Sequence, residues 1–258
     1  MIAKTYVFYN PLAGQGKILE DLEVLEFVLD TDCVFCDMTR PETYGEDLFA
    51  MAPEDALVIC GGDGTLNRFV NLVDEIRLEN QIYYYPAGEH NDFALDYGRC
   101  WGDNPFAVTK VLKALPKVRT GSKTGMFLTG IVHSCMGRRQ KGSSVKLTAG
   151  RALYHFDALR FLAILQGRHC CGGMIPDPTR QRTDRTLSCV LIHGCGSLKA
   201  RYLLSRLQRG RIPDSRHFTV LKDTDFRLTF DRPVTLLTDG EVQTGVTELD
   251  AWREEVQP

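Results

Sequence analysis

The chain has 258 residues, a formal net charge of −2 and 43% hydrophobic residues, enough for one large domain or two smaller ones. Its balanced charge does not favour binding to nucleic acid, and no apolar run reaches the roughly 20 residues that cross a bilayer. Residues 1–4 lead directly into a strand-like segment without the features of a signal peptide, so we expect a cytoplasmic protein or one on a membrane surface.

The first part of the chain alternates strand-like and helix-like segments. Apolar runs predict strands at residues 6–9, 33–36, 56–60 and 82–85, and helical spacing predicts helices at residues 18–29, 43–51 and 66–76. This alternation predicts a mainly parallel sheet flanked by helices. Ligands of such sheets lie beyond the carboxyl ends of the strands, where Asn10, Gly61 and Pro86 are found.

The strongest signal is a glycine-rich loop between a buried strand and a helix. Its residues are Gly61, Gly62, Asp63, Gly64, Thr65, Leu66 and Asn67. Glycine lets a ligand approach the main chain, and the N–H groups at a helix N-terminus bind anions. Thr65 is predicted to cap the helix, and Asp63 suits a nearby magnesium ion or nucleotide ribose or base. An ordinary strand-to-helix turn needs neither the third glycine nor the aspartate.

Two further loops follow predicted strands. Residues 10–17 contain Asn10 and Gly14 and partly resemble a Walker A loop, but Pro11 and Ile18 break that motif. Residues 86–94 contain four further candidates: Gly88, Glu89, Asn91 and Asp92. The last two either line a ligand site or order the loop through turn and N-cap bonds.

Beyond about Pro116 the pattern changes to short strands separated by turn residues, which predicts a β-rich domain with one or two helices. Apolar spacing predicts an amphipathic helix at residues 153–165 and a second helix at residues 198–207. Near the end of the chain, Asp239-Gly240-Glu241 follows an apolar strand. Asp-Gly on its own is typical of a hairpin turn, and the two carboxylates are alternatively a catalytic pair.

Two interpretations of the cysteines are possible. Cys33 and Cys36 form a C-x-x-C motif that residues 169–171 would complete as a zinc site. The alternative is that the cysteines are small apolar residues of buried strands. No second C-x-x-C lies at zinc-finger spacing, so the second reading is favoured.

Basic residues concentrate in the second part of the chain. Residues 199–211 contain five of them, and a loop adds Arg138, Arg139 and Lys141. They form either a surface for anionic lipid headgroups or a solvated helix face.

Taken in order, these motifs resemble the diacylglycerol kinase catalytic family, which includes bacterial lipid kinases and sphingosine kinases and shares its nucleotide-domain plan with NAD kinases. The resemblance rests on Asn10-Pro11 with Gly14, Gly-Gly-Asp-Gly-Thr-Leu-Asn from Gly61, Pro-x-Gly-x-x-Asn-Asp-Phe-Ala from Pro86, and Asp239-Gly240-Glu241. It implies an α/β fold with an N-terminal parallel-sheet nucleotide-binding domain (1–116) and a C-terminal β-sandwich-like substrate domain (117–258). The active site is expected in the cleft between the two domains.

The resemblance also implies an activity: transfer of the ATP γ-phosphate to a lipid hydroxyl at a membrane surface, with Mg²⁺ as a cofactor. By position, it implies these nucleotide contacts: Asn10, Gly14, Thr39, residues 61–67, Gly88, Glu89, Asn91 and Asp92. Asp239 and Glu241 would be the catalytic pair, with Glu241 favoured as the base and Asp239 as its partner or a magnesium contact. The ligands of a metal stay unassigned, and a homodimer is compatible with the resemblance.

Three departures from the family pattern leave two alternatives open. Glu89 stands where the family usually has threonine, residues 127–134 lack an expected Asn and Asp, and no Leu-Asp-Asp-Gly segment of the bacterial metal site follows residues 194–196. The first alternative is a NAD kinase-like enzyme. The second is a divergent, non-catalytic nucleotide-binding member of the family.

Overall fold

The computed structural model describes residues 4–73, 78–97, 104–137 and 141–253. The chain divides into two units, which we call unit 1 (Met1–Lys113) and unit 2 (Ala114–Pro258). The functions predicted for the two parts of the chain, and an active site between them, stay predictions.

Unit 1 is built on one sheet with short helices in its connections. Its strands are β1 (Lys4–Tyr9), β2 (Asp32–Asp37), β3 (Ala56–Gly61), β4 (Gln81–Pro86) and β5 (Phe106–Ala107). Its helices are α1 (Ile18–Leu29), α2 (Pro41–Ala50), α3 (Asp63–Val73), α4 (Asp92–Leu95) and α5 (Thr109–Leu112). The strand order is β2-β1-β3-β4-β5, and all neighbours are parallel except β4 and β5. The predicted parallel sheet is confirmed.

The central strands explain the continuous apolar runs in the sequence. Every residue of β3 is buried, because β1 and β4 flank it and helices cover the sheet. On α1, Ile18, Leu22 and Leu25 are buried in a cluster with Val7 and Val58 of the sheet. The helical spacing of the sequence therefore corresponds to the face that α1 packs against the strands.

Unit 2 is β-rich. Its strands are β6 (Lys117–Thr120), β7 (Lys123–Met126), β8 (Gly130–Ser134), β9 (Ser143–Ala149), β10 (Ala152–Leu159), β11 (Phe161–Leu165), β12 (Leu187–Ile192), β13 (Phe218–Asp223), β14 (Asp225–Thr238) and β15 (Glu241–Trp252). One helix of this unit, α6 (Ser197–Leu207), follows β12. The strands form an antiparallel sheet in the order β13-β12-β11-β8-β14-β15-β6-β7, with β9 pairing β10 and β14.

Strand β14 joins two regions of this sheet. Phe226–Phe230 pairs with β9, whereas Leu237 and Thr238 pair with β8. Its register with β15 shifts on either side of Val234, next to Pro233, which has no N–H to donate to a ladder. The strand thus changes partner where the ladder is interrupted, and apolar side chains of β8, β9, β11, β12, β14 and β15 meet in one buried cluster.

The helix predicted at residues 153–165 is wrong. The segment forms β10 and β11, and Ala158 near their junction has a φ of 48°. All five residues of Phe161–Leu165 are buried, because β11 lies between β8 and β12 with both faces covered. A strand that is apolar on both faces has no period of two, so its pattern is not distinguished from that of a buried helix.

The helices of both units are short. Helix α1 has 12 residues, α6 has 11, and α6 confirms the helix predicted at residues 198–207. Among the residues that the structure describes, no helix has both the length and the apolar character needed to cross a bilayer.

Candidate functional site

Three loops meet at one edge of the unit 1 sheet. Strands β1, β3 and β4 are parallel neighbours, so their carboxyl ends, and the loops that begin at Asn10, Gly61 and Pro86, lie side by side. Backbone hydrogen bonds join them: the N–H of Asn10 donates to the carbonyl of Cys60, and the N–H of Ala87 donates to that of Gly61. The prediction that the three loops occupy the same edge is confirmed.

Helix α3 begins three residues earlier than predicted. It starts at Asp63 rather than Leu66, so Asp63, Gly64 and Thr65 form its first turn. Thr65 is therefore inside the helix, and the prediction that it caps the N-terminus is wrong. The first N–H groups of an α-helix have no partner within the helix, so this turn directs amide donors toward the edge of the sheet.

The side chain of Asp63 stabilises this turn through hydrogen bonds. The residue is 8% exposed. Its Oδ2 accepts a hydrogen bond from the backbone N–H of Asp92 at 2.7 Å, and its Oδ1 accepts one from the N–H of Phe93 at 3.0 Å. A carboxylate at the start of α3 also interacts favourably with that helix's dipole. Asp63 thus ties the first turn of α3 to the first turn of α4.

The glycines allow the second and third loops to touch through their main chains. A Cβ added to Gly88 would lie 2.4 Å from the Cα of Gly62, and one added to Gly61 would lie 2.5 Å from Oγ1 of Thr65. No side chain fits at such separations, so at Gly61 and Gly88 glycine is required by close approach.

Replacing Gly88 with Ala is expected to destabilise unit 1 by about 1–3 kcal/mol, because the new methyl group overlaps the backbone of Gly62. Gly45→Ala is the matched control: Gly45 lies inside α2 with no atom within 4 Å of an added Cβ, so alanine there is neutral or stabilising. Urea unfolding of both variants measures the difference. Equal stability of Gly88→Ala and the unmodified protein would contradict the close contact.

The first loop is fastened to the other two by side chains. Nδ2 of Asn10 donates to Oγ1 of Thr65 at 3.5 Å, and Nε2 of Gln15 donates to Oε1 of Glu89 at 2.5 Å. Gly14 has a φ of 58°, and a Cβ there would lie 2.7 Å from the carbonyl oxygen of Ala87. The negative charge of Glu89 thus faces an amide donor of the first loop.

The third loop is ordered by Asn91. Its Oδ1 accepts from the N–H of Gly88 at 3.2 Å, and its Nδ2 donates to the carbonyls of Gly88 and Pro86. The alternative that Asn91 orders the loop is therefore confirmed. Asp92 lies at the start of α4 and is 3% exposed.

The sequence analysis missed Tyr84, whose hydroxyl donates to the carbonyl of Gly61 at 3.0 Å. A tyrosine within an apolar strand carries no local signal of that contact.

Thr39 lies at the same edge of the sheet, after the outer strand β2. Its N–H and its hydroxyl both donate to Oδ1 of Asp37, at 2.8 and 2.7 Å. These bonds form a tight turn, and the side chain of Thr39 is exposed. The structure thus places Thr39 one strand beyond the first loop, with its hydroxyl engaged by its own turn.

In unit 2, Asp239 and Gly240 form the turn of the β14–β15 hairpin. Thr238 pairs with Glu241 across the turn, and the two turn residues have φ values of 45° and 94°. Positive φ at both positions is typical of a type I′ turn, for which Asp-Gly is a preferred sequence. The hairpin-turn alternative is confirmed.

The carboxylate of Asp239 is enclosed by donors. Its Oδ1 accepts from the N–H groups of Thr129 and Gly130 and from the Thr129 hydroxyl, at 2.9, 3.1 and 2.6 Å. Its Oδ2 accepts from the N–H of Leu128 at 2.5 Å, and the residue is 6% exposed. Asp239 thus fastens the hairpin to the segment before β8.

Glu241, by contrast, is exposed at the first position of β15. Its neighbour Val242 lines a cavity of about 590 Å³ within unit 2. The wall of this cavity is mostly apolar and includes Phe161, Met174, Leu204, Leu236 and Leu237. Glu241 is therefore a carboxylate that water and ligands reach, one residue from an apolar cavity.

The cysteines of the C-x-x-C motif are side chains of β2. Sγ of Cys36 donates to Oδ2 of Asp47 at 3.3 Å. Burial, aided by that carboxylate, raises the pKa of the Cys36 thiol far above its ordinary value, and burial also raises the pKa of Cys33. Cys33 and Cys36 are three positions apart on β2, so their side chains lie on opposite faces of the strand and do not converge on one metal ion. Within the described ranges, no three His, Cys, Asp or Glu side chains form a group that would hold a metal ion.

Comparison with known proteins gives matches in sequence and in fold. Residues 4–122 match the family model of the diacylglycerol kinase catalytic domain. Human diacylglycerol kinase iota is 30% identical over 110 residues, which are 41% of this chain and 10% of that protein. Bacillus subtilis diacylglycerol kinase is 23% identical over 173 residues, 62% of this chain and 56% of that protein.

Both matched segments are less than two thirds of the relative's length. A crystal structure of a diacylglycerol kinase from Bacillus anthracis superposes with a TM-score of 0.69 at 16% identity, covering 96% of this chain and 93% of that one. That likeness shows the fold: a parallel α/β sheet followed by a β-sandwich-like unit. The three glycine-containing loops at the edge of the sheet lie within the segment that the family model matches. The sequence of residues 4–122 is therefore similar to that of the diacylglycerol kinase catalytic domain.

Proposed function

We propose that this protein is an ATP-dependent lipid kinase, which transfers the γ-phosphate of ATP to a hydroxyl group of diacylglycerol or a related lipid. The observation that carries the proposal is the set of three loops at the carboxyl edge of β1, β3 and β4, within a matched kinase family. Enzymes that transfer phosphoryl groups act mainly by positioning the two substrates and by stabilising charge.

Unit 1 supplies the nucleotide site in this proposal. The first turn of α3 directs backbone N–H groups of Gly64 and Thr65 toward the phosphates, as helix N-termini do for anions. Asp63 and Asn91 keep the loops in place through their backbone bonds. Glu89 and Asp92 complete the edge, and Thr39 is a further candidate contact one strand away.

When bound, Mg²⁺ would neutralise part of the negative charge of the triphosphate. In proteins this ion usually binds through one or two carboxylates together with substrate phosphates and water. Glu89 fits that requirement, because it is exposed on the third loop. Its carboxylate accepts one hydrogen bond from Gln15 and has further lone pairs that can bind a metal ion. Asp239 fits it less well than the resemblance implies, because four donors surround its carboxylate.

Unit 2 supplies the acceptor site. The apolar cavity suits an acyl chain, and Val242 of its wall follows Glu241 in the chain. Glu241 accepts the proton of the lipid hydroxyl while the hydroxyl oxygen bonds to the γ-phosphorus and ADP leaves. A lipid acceptor accounts for this cavity better than the polar acceptor NAD does.

Transfer from radiolabelled ATP tests the proposal. The protein is incubated with Mg²⁺ and mixed micelles that contain diacylglycerol, monoacylglycerol or a long-chain base, and with NAD in a parallel reaction. Label in a lipid product is the expected result. Label in NAD alone, or nucleotide binding by calorimetry without transfer to any acceptor, would refute the lipid-kinase proposal.

A further inference from the structure

Helix α6 of unit 2 carries exposed apolar side chains on its outer side. Leu198 is 73% exposed and Tyr202 is 56% exposed, and their spacing of four residues places them next to each other on the helix. Ala200, Leu203 and Leu207 are buried on the other side, so packing against the sheet does not account for the outer pair. Ile212, five positions after the end of the helix, is also an exposed apolar residue, at 48%.

The same segment is strongly basic. Its cations are Lys199, Arg201, Arg206, Arg209 and Arg211, and no Asp or Glu occurs from residue 186 to residue 213. Four of the five are exposed and Arg206 is half-buried. Nζ of Lys199 lies 5.5 Å from the centre of the Tyr202 ring. Apolar groups and cations are thus interleaved on one surface, which we call the α6 surface (residues 198–212).

We propose that the α6 surface docks the protein on an anionic lipid bilayer. A helix with apolar residues on its outer face and cations around them is typical of segments that lie in the membrane interface. Leu198 and Tyr202 enter the headgroup region, and the five cations neutralise anionic headgroups around them. This charge complementarity selects an anionic bilayer as the partner, since one charge sign covers the whole surface.

The proposed docking extends the proposed function, and only its link to the lipid site rests on that function. Leu204 and Gln208, from the same helical segment, line the apolar cavity of unit 2. Docking of α6 therefore brings a wall of the proposed lipid site to the membrane that contains the lipid. Docking itself requires neither ATP nor catalysis, so it is measured separately from them.

Co-sedimentation of the full chain, without nucleotide, with phosphatidylcholine vesicles that contain or lack phosphatidylglycerol tests the inference. Binding is expected only with phosphatidylglycerol, and it weakens when salt rises from about 0.1 M to about 0.5 M. Changing Arg201, Arg206 and Arg209 to Gln together is expected to weaken binding about 100-fold, since each charge near an anionic surface contributes about fivefold. Leu198→Gln with Tyr202→Gln is expected to weaken it by at least about tenfold.

Matched controls come from the β9–β10 hairpin and from β14 of unit 2. Leu153 is also 73% exposed, so Leu153→Gln removes an equally exposed leucine from β10. The exposed Lys146, Arg151 and Arg227, changed together to Gln, remove the same charge elsewhere. Both controls are expected to bind like the unmodified protein.

Three outcomes would overturn the inference: equal binding to both kinds of vesicle, equal losses in control and α6 variants, or vesicle binding that the α6 variants leave unchanged. The last would indicate that another molecule, such as an acidic protein, covers this surface. Activity toward a short-chain, water-soluble diacylglycerol separates the two proposals. If docking is seen without any phosphoryl transfer, the kinase proposal fails while the docking surface stands.

Discussion

Glu241→Gln is expected to lower turnover with lipid by about two to four orders of magnitude, the usual contribution of a general base. Glutamine has nearly the same size but does not accept the proton of the attacking hydroxyl. Because Glu241 is exposed on β15, the free energy of unfolding should change by no more than about 0.5 kcal/mol. Steady-state kinetics together with urea unfolding of the same preparation measure both quantities.

The matched control for this variant is Glu248→Gln. Glu248 is an exposed glutamate on the same strand, paired with Thr229 of β14. Its removal changes the charge of the protein equally, so an unaltered rate is expected. If Glu241→Gln kept the original rate, the base would have to be another group, and the assignment of Glu241 would fail.

Asp239→Asn is expected to destabilise unit 2 by at least about 3 kcal/mol. The carboxylate accepts four hydrogen bonds in a buried position, and bonds to a charged acceptor contribute about 1.5–3 kcal/mol each. An asparagine amide has one oxygen, so its NH₂ group must face donors. Asparagine tolerates a positive φ, so the φ of 45° at this turn does not contribute to the loss of stability. The loss therefore measures the contribution of the carboxylate.

Hydrogen exchange of the N–H groups of Leu128, Thr129 and Gly130 is the direct measurement for Asp239→Asn, since these are the donors to the carboxylate. Their exchange should accelerate strongly. Asp250→Asn serves as control: it removes a carboxylate that pairs with the half-exposed Arg119, and such surface pairs contribute at most about 1 kcal/mol. Slow exchange in Asp239→Asn, like that of the unmodified protein, would disprove the structural role.

Together these two variants distinguish the roles of two carboxylates that lie in one short sequence motif. The resemblance implies that Asp239 and Glu241 are a catalytic pair, with Glu241 favoured as the base and Asp239 as its partner or a magnesium contact. In the fold, one carboxylate is buried among backbone donors and the other faces solvent. We therefore expect loss of stability from one substitution and loss of activity from the other.

Local pattern was sufficient to predict much of unit 1. Apolar strands alternating with helical spacing predict a parallel sheet, and glycine loops after three of the strands predict their meeting at one edge. Both predictions are confirmed, because in a parallel sheet the strand order brings consecutive carboxyl ends together. The same reasoning was wrong at residues 153–165, where β11 is covered on both faces and loses the alternation that marks a strand.

The sequence by itself determined the α/β pattern of unit 1, the glycine loops that follow its strands, and the Asp-Gly turn near the end of the chain. Tertiary structure alone decided what the carboxylates of Asp63 and Asp239 do. Their donors lie 29 and 30 positions away for Asp63, and 109 to 111 positions away for Asp239. A side chain acquires its partners from the packing of distant segments, and no local spacing of residue types encodes that proximity.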